Sequence, residues 1–168
     1  AMPKELLPVV NKPLIQYAAE EAIAAGCNTL IFVTGCNKRA IEDHFDNNLE
    51  LEAALRTKGK HAEAAGVRNI APSHVQCIFV RQPEQLRLGH AVLCAERAVG
   101  DDPFAVLLAD DFLVGVATAT LMNLIEAYTQ SGKSQISVMQ VDGPDILQYS
   151  VVRLGDGFNE VAGLVEKP

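Results

Sequence analysis

The sequence has no excess of basic residues. It carries 14 Lys and Arg against 21 Asp and Glu, which gives a formal net charge of −7 at pH 7. A nucleic-acid-binding protein needs a basic face for the phosphates, so this charge balance argues against that class. Long hydrophobic runs are also missing, because no apolar stretch approaches the roughly 18 residues that a membrane span requires. We therefore expect a cytoplasmic protein with neither a nucleic-acid nor a membrane partner.

Cysteine and histidine are few, and their spacing is wrong for a metal centre. The four cysteines never form a C-x-x-C pair, and the four histidines show no metal-ligand spacing. Three of the cysteines lie in or beside apolar segments, which is typical of reduced, structural thiols in a cytosolic protein. We expect no zinc site.

Hydrophobic residues are plentiful, and one run of them is unusual. They make up 49% of the 168 residues, so we expect a single domain over residues 1–168 with a substantial core. The six apolar residues 104–109 are typical of a strand buried on both faces of a parallel sheet. Because ligands bind beyond the carboxyl ends of such strands, this strand would deliver Asp110 to a site. The alternative is that Asp110 simply ends a strand in a turn, where Asp is common.

The order of the predicted elements indicates an α/β fold with a mixed, mostly parallel sheet. Helices are predicted over residues 13–25, 38–45, 49–57, 89–98 and 117–131. Strands are predicted over residues 29–34, 76–80, 104–109 and 135–140, followed by a hairpin of residues 149–154 and 160–165. Residues 4–12 are predicted to be extended because of their prolines. Residues 58–73 have weak periodicity and are predicted to be mobile.

Short motifs along the whole chain resemble those of bacterial UTP–glucose-1-phosphate uridylyltransferases, members of the sugar nucleotidyltransferase family. Each motif is weak alone, and it is their common order and spacing that carries the resemblance. They are Pro-Lys-Glu-Leu-Leu-Pro at 3–8 with Lys-Pro-Leu-Ile at 12–15, Val-Arg-Gln at 80–82, Leu-Gly-His-Ala at 88–91, Leu-Ala-Asp at 108–110 and Val-Glu-Lys-Pro at 165–168. The resemblance implies a Rossmann-like, three-layer nucleotide-diphospho-sugar transferase fold.

The same resemblance implies a reaction. UTP and glucose 1-phosphate would give UDP-glucose and pyrophosphate by direct attack of the sugar phosphate on the α-phosphate. Such chemistry needs no protein nucleophile and asks the protein for positioning and charge neutralisation. The implied cofactor is Mg²⁺, and the implied assembly of the full-length protein is a homo-oligomer.

Site residues follow from the resemblance, position by position. Glu5 and Gln82 would face the uracil edge, and Arg87 and Gly89 would complete the nucleotide-binding segment. Asp110 would bind Mg²⁺, a hard cation that takes carboxylate and phosphate oxygens. The residues implied in catalysis are Lys4, Asp110 and Lys167, and those implied in sugar binding are Ser150, Glu166 and Lys167.

Taken singly, these residues have ordinary explanations. Lys4 and Glu5 could be solvated charges on a Pro-rich loop, and the Glu166–Lys167 pair could end an exposed strand. Gln82 could be a loop residue. His90 stands at a predicted helix start, where a capping or packing role is expected.

Some parts of the family pattern are missing from this sequence. They are the Gly-rich phosphate loop with its Thr-Arg pair and the first strand upstream, and the second metal carboxylate and the oligomer-forming region downstream. Backbone N–H groups of such a loop cradle a triphosphate. We therefore expect these 168 residues to be an internal portion of a longer enzyme, with little activity by themselves.

Two substitutions leave the function open. Arg87 stands where the family pattern has a Gly, which would permit positive φ or close approach to the base. Ser150, after Tyr149, also replaces a Gly. Such drift fits a non-catalytic, regulatory paralogue as an alternative to the enzyme. A third possibility is the same chemistry on dTTP or another sugar phosphate, although Glu5 favours the uridylyl branch.

Overall fold

A computed structural model of the chain describes residues 3–111, 117–157 and 160–166. Within residues 117–119 it describes the backbone only. The chain divides into two compact units, residues 1–133 and residues 134–168, and each is described by itself.

The first unit contains a parallel strand pair and most of the helices. Its strands are β1 (Pro8–Val9), β2 (Lys12–Pro13), β3 (Thr29–Thr34) and β4 (Gln76–Arg81), and a 3₁₀ helix at Lys4–Leu6 precedes them. Its helices are α1 (Leu14–Ala24), α2 (Arg39–Phe45), α3 (Leu49–Thr57), α4 (His61–Arg68), α5 (Arg87–Cys94), α6 (Glu96–Val99) and α7 (Ala117–Ser131). The second unit contains a 3₁₀ helix at Pro144–Gln148 and the strands β5 (Ser150–Leu154) and β6 (Val161–Glu166).

The described strands form three pairs, and two of these pairs join strands that the sequence predicts. β3 and β4 are rich in β-branched and aromatic residues and pair in parallel, from Thr29 opposite Gln76 to Thr34 opposite Arg81. β5 and β6 form the predicted antiparallel hairpin. β1 and β2 form a short antiparallel pair immediately before α1.

The core of the first unit lies on one face of the β3–β4 pair. Phe32 and Phe79 face each other across the two strands with ring centroids 5.2 Å apart, and the Phe45 ring lies 4.4 Å from Phe32. The buried residues of this cluster are Ile15 and Ala19 of α1 and Ile41 and Phe45 of α2, and Leu30, Cys77 and Ala109 are among those that pack against them. This packing holds the start of the chain, β3 and β4 in one body.

The predicted buried strand at residues 104–109 is wrong. These residues are all described and have no regular secondary structure, and Phe104 and Val106 are 60% and 50% exposed. β-propensity is not sufficient, because a strand needs a neighbouring strand to pair its backbone groups, and no described residue pairs with this segment. Asp110 lies in a turn in which the Asp111 N–H donates to the Leu108 carbonyl at 3.1 Å. The alternative interpretation, in which Asp110 lies in a turn, therefore describes the backbone at this residue.

Other predictions of local structure were also wrong. Residues 135–140 have no regular structure and are largely exposed. Residues 58–73, in spite of their weak periodicity, contain α4, in which alanine, the best helix former, is frequent and Ala64 is fully buried. The mobility of this segment stays a prediction. Residues 4–6 form a 3₁₀ turn where an extended segment was predicted. The helix predicted at 89–98 begins at Arg87 and is interrupted at Ala95.

The remaining predictions about local structure agree with the fold. The helices at α1, α2, α3 and α7 and the strands β3 and β4 lie within about a residue of their predicted bounds. All four cysteines are free.

Of the helices in the described part of the chain, none has the length and apolar character needed to cross a membrane.

Candidate functional site

A cavity of about 370 Å³ opens at the carboxyl ends of β3 and β4. At this edge the backbone N–H of Gln82 donates to the Thr34 carbonyl at 2.9 Å, which extends the strand pairing by one residue. The residues that line the cavity are Val33, Gly35, Lys38, Gln82, Gln85 and Arg87. The cavity thus occupies the edge of a parallel strand pair at which ligands bind in α/β proteins.

The side chain of Gln82 is held by two neighbours. Its amide nitrogen lies 3.1 Å from the Arg87 carbonyl oxygen, to which it donates, and 3.1 Å from Nδ1 of His90. His90 also lies 4.0 Å from the Cys94 sulfur, one helical turn further along α5. His90 therefore has a packing and hydrogen-bonding role, in line with the sequence interpretation.

Arg87 has a φ of 66°, in the left-handed region. Positive φ is one of the two backbone features that a Gly at this position would permit, and a non-Gly residue there costs about 1–2 kcal/mol. This backbone conformation accompanies the contact of the Arg87 carbonyl with the Gln82 amide. Arg87 is also one of the residues that line the cavity.

Two neighbouring residues at the start of the chain, Lys4 and Glu5, each form a lysine–carboxylate pair with a residue distant in the sequence. Lys4 Nζ is 2.5 Å from Asp110 Oδ2, and Lys38 Nζ is 2.7 Å from Glu5 Oε1. The fold thus brings three residues implied by the resemblance, Lys4, Glu5 and Asp110, into one charged group with Lys38. The hydrogen bond from Lys4 lowers the pKa of Asp110 below its usual range, and the same bond raises the pKa of Lys4.

Glu5 is largely buried, with 12% of its side chain exposed. Burial by itself raises the pKa of this carboxyl, but the hydrogen bond from Lys38 and the nearby positive charges outweigh it, so its pKa lies below the ordinary value of 4.5. Its second oxygen, Oε2, is buried and has no hydrogen-bond partner among the described residues. A buried acceptor without a partner is uncommon in folded proteins.

Two of the implied sugar-binding residues are neighbours on the hairpin of the second unit. Ser150 and Glu166 are directly opposite each other in the β5–β6 register, and both are exposed. Lys167 lies outside the described residues. Gly89 is in α5, and a Cβ at this position would meet no atom within 4 Å, so nothing described around it requires glycine.

Sequence reasoning missed Lys38 and Gln85, which also line the cavity. A signal for Lys38 was available, since it follows closely on β3, at the strand edge where ligands bind. Between the end of β3 and Lys38 the chain turns through Asn37, which has a φ of 65°. Asparagine is one of the few residue types that adopt this left-handed conformation readily. Gln85 has no comparable signal, because it lies in an irregular loop.

A metal cage made by the protein alone is not found among the described residues, where no group of three or more His, Cys, Asp or Glu side chains could hold an ion. Asp110 is half-exposed, and the hydrogen bond from Lys4 lowers the pKa of its carboxyl. A single accessible carboxylate of this kind fits the way Mg²⁺ binds with substrate phosphates, through one or two carboxylates and several waters.

Residues 1–168 match the family model of nucleotidyl transferases over the whole length of the chain. The chain belongs to the nucleotidyl transferase family. Enzymes of this family generally use a divalent metal. The resemblance drawn from the short motifs is thereby confirmed.

Individual relatives agree with the family. The chain is 46% identical to UTP–glucose-1-phosphate uridylyltransferase 1 of Staphylococcus saprophyticus over 171 residues, covering 100% of this chain and 59% of that protein. It is 45% identical to the uridylyltransferase YngB of Bacillus subtilis, covering 57% of it. The UTP-bound UDP-glucose pyrophosphorylase of Acinetobacter baumannii superposes with a TM-score of 0.91 at 42% identity, over 99% of this chain and 61% of that one.

These matches confirm the predicted fold class, the nucleotide-sugar transferase fold. The chain spans about three fifths of the length of the relatives it matches.

Proposed function

We propose that the protein of which this chain forms part is a UTP–glucose-1-phosphate uridylyltransferase, which uses Mg²⁺ and works in the cytoplasm as a homo-oligomer. The observation that carries the proposal is the polar cavity at the carboxyl ends of β3 and β4, with the Lys4–Asp110 pair in the same unit. It supplies a recess for a base and charged groups for phosphates.

In the proposed reaction a phosphate oxygen of glucose 1-phosphate attacks the α-phosphorus of UTP. The new P–O bond forms as the bond between the α-phosphorus and the bridging oxygen of the β-phosphate breaks, and pyrophosphate leaves. No covalent enzyme intermediate is needed, so the protein acts by positioning and by neutralising charge.

The chain's own residues divide these tasks. Lys4 neutralises phosphate charge. Gln82 reads the base, and Glu5 supports base recognition by holding Lys38 at the cavity. Arg87 and Gly89 belong to the same nucleotide-binding segment. Ser150 and Glu166 bind sugar hydroxyls, and Lys167 neutralises the sugar phosphate. Asp110 holds Mg²⁺, which when bound withdraws charge from the phosphate oxygens.

The test is turnover by the whole protein with UTP, glucose 1-phosphate and Mg²⁺, measured as pyrophosphate release. We expect Asp110→Asn to lower kcat/KM by at least about 100-fold, because one carboxylate ligand of the metal is lost. Asp101→Asn is the matched control, since it removes an exposed carboxylate just before the same segment. Full activity in Asp110→Asn would exclude Asp110 from the metal role.

The regulatory alternative is favoured by Arg87, a cavity-lining residue at a position where the family pattern has a Gly. Calorimetry with UDP-glucose separates the two proposals. Binding and turnover support the enzyme, whereas a protein that gives neither heat nor turnover would be the regulatory paralogue. Turnover of dTTP or of another sugar phosphate in preference to these substrates would support the third possibility.

A further inference from the structure

We infer that Lys38 is a further substrate-binding residue, whose ammonium acts with the Gln82 amide oxygen to select a keto pyrimidine over an amino pyrimidine. This inference rests on the proposed function, which it deepens by naming what distinguishes the accepted base.

Lys38 is placed to meet a ligand. It lines the cavity, and its side chain is 33% exposed. One of the three N–H donors of its ammonium is used by Glu5 at 2.7 Å, and no other hydrogen bond from this ammonium is found among the described residues. Glu5 is not among the residues that line the cavity. The buried carboxylate therefore positions the ammonium. Lys38 and Arg87 are the two cationic residues that line the cavity.

Gln82 is oriented so that its oxygen remains available. The Arg87 carbonyl can only accept, so the amide NH₂ of Gln82 must point toward it. The second N–H of the same nitrogen is directed at Nδ1 of His90, which accepts when the ring proton is on Nε2. Both donors of the amide are thereby used. What Gln82 offers a ligand is Oε1, an acceptor.

A donor at Lys38 and an acceptor at Gln82 match one edge of uracil. That edge carries the O4 acceptor beside the N3–H donor, and thymine shares it. Cytosine reverses both groups, because N4 becomes a donor and N3 an acceptor. Cytosine would thus set an amino group against a cation and a lone pair against Oε1. Mismatched polar groups in a cavity discriminate far more strongly than missing apolar contacts.

The test is calorimetric binding of UTP and of CTP to the whole protein, together with kcat and KM for each. We expect Lys38→Met to weaken UTP binding by on the order of 10- to 100-fold, the usual loss for one hydrogen bond from a charged group. The preference for UTP over CTP should fall by a similar factor, with KM changing more than kcat. Lys38→Gln, which keeps a neutral donor, should retain part of the preference.

Lys60→Met is the matched control, because Lys60 pairs with Glu63 at 3.7 Å on the surface of α4 and is not one of the cavity-lining residues. Melting temperatures of all variants identify any loss of folding. A Lys38→Met protein that folds and keeps its preference for UTP over CTP within twofold would overturn the inference.

The two proposals fail in different ways. A wild-type protein that binds UTP in preference to CTP but turns over neither would contradict the proposed function, and binding to Lys38→Met would still decide the role of Lys38. A wild type that binds both nucleotides equally would overturn the inference and leave turnover intact. A wild type that binds neither would overturn both.

Discussion

The two lysine–carboxylate pairs at the start of the chain have different environments, and so different consequences. The Lys4–Asp110 pair is 64% and 50% exposed, and a pair of this kind adds only about 0–1 kcal/mol to stability. Its effect lies in the site, where Lys4 lowers the pKa of Asp110 and Asp110 raises the pKa of Lys4. The Lys38–Glu5 pair is more buried, so losing either partner would leave an uncompensated charge next to the cavity.

Lys4→Met should raise the pKa of Asp110 toward its ordinary value of 3.8, because the hydrogen bond from Lys4 is the largest cause of its lowering. Since the native pKa lies below the unfolded value, the pair's stabilisation is present above the unfolded pKa and is lost as the pH falls through the native one. We therefore expect the contribution of the Lys4–Asp110 pair to the free energy of unfolding to stay constant with pH near neutrality. Carboxyl ¹³C NMR titration measures the pKa directly. Lys60→Met, which is distant in sequence and paired elsewhere, should leave the Asp110 titration in place; equal shifts in both variants would contradict the pairing.

At the scale of elements, the segment between β4 and α5 shapes the cavity. It begins at Gln82, whose backbone is tied to β3, and it ends at Arg87 in the left-handed conformation. The hydrogen bond from Gln82 to the Arg87 carbonyl joins its two ends. The segment is held by these contacts in spite of the conformational cost at Arg87.

Arg87→Gly should stabilise the protein. Relief of the left-handed strain is worth about 1–2 kcal/mol, and the greater freedom of Gly in the unfolded chain removes about 0.5–1 kcal/mol of that gain. The expected net gain is below about 1.5 kcal/mol, measured by chemical denaturation. Arg87→Ala is the control, since it removes the guanidinium but keeps Cβ at positive φ. Equal stabilisation by both variants would show that the side chain, and not φ, is responsible.

At the scale of the whole molecule, the first unit depends on a small core. The Phe32, Phe45 and Phe79 rings join α2 to both parallel strands, and Phe45 is only 4% exposed. Since these strands carry the cavity at their ends, the core that stabilises them also positions the site.

Phe45→Ala should lower the free energy of unfolding by about 3–5 kcal/mol, because it removes a buried ring and leaves a cavity. Leu49→Ala serves as the control, since Leu49 is 64% exposed and begins the next helix. That change should cost less than about 0.5 kcal/mol. Chemical denaturation of both variants provides the measurement, and similar losses would mean that the core does not centre on Phe45.

How much could be predicted depended on the range of the interactions involved. Pro13 and Gly26 bound α1, and the alternation of residues around Gly155 predicts the hairpin, because capping, turn and periodicity signals act within a few residues. Residues 104–109 have equally strong local signals, yet they are not a strand. A strand forms only when its backbone groups pair with those of a second segment, and the residues of one segment do not show which other segment will pair with it.

The sequence by itself determined most of the local elements, the family through motifs held in register, and the chemistry of the candidate residues. Only the tertiary structure decided which of those groups meet. The Lys4–Asp110 pair joins residues 106 positions apart, and the Lys38–Glu5 pair joins residues 33 apart. The Gln82 amide is oriented by a carbonyl and a ring that neither motif spacing nor composition reveals. Propensities and caps are encoded in neighbouring residues, whereas long-range ion pairs and side-chain orientation depend on how the β3–β4 pair and its helices pack.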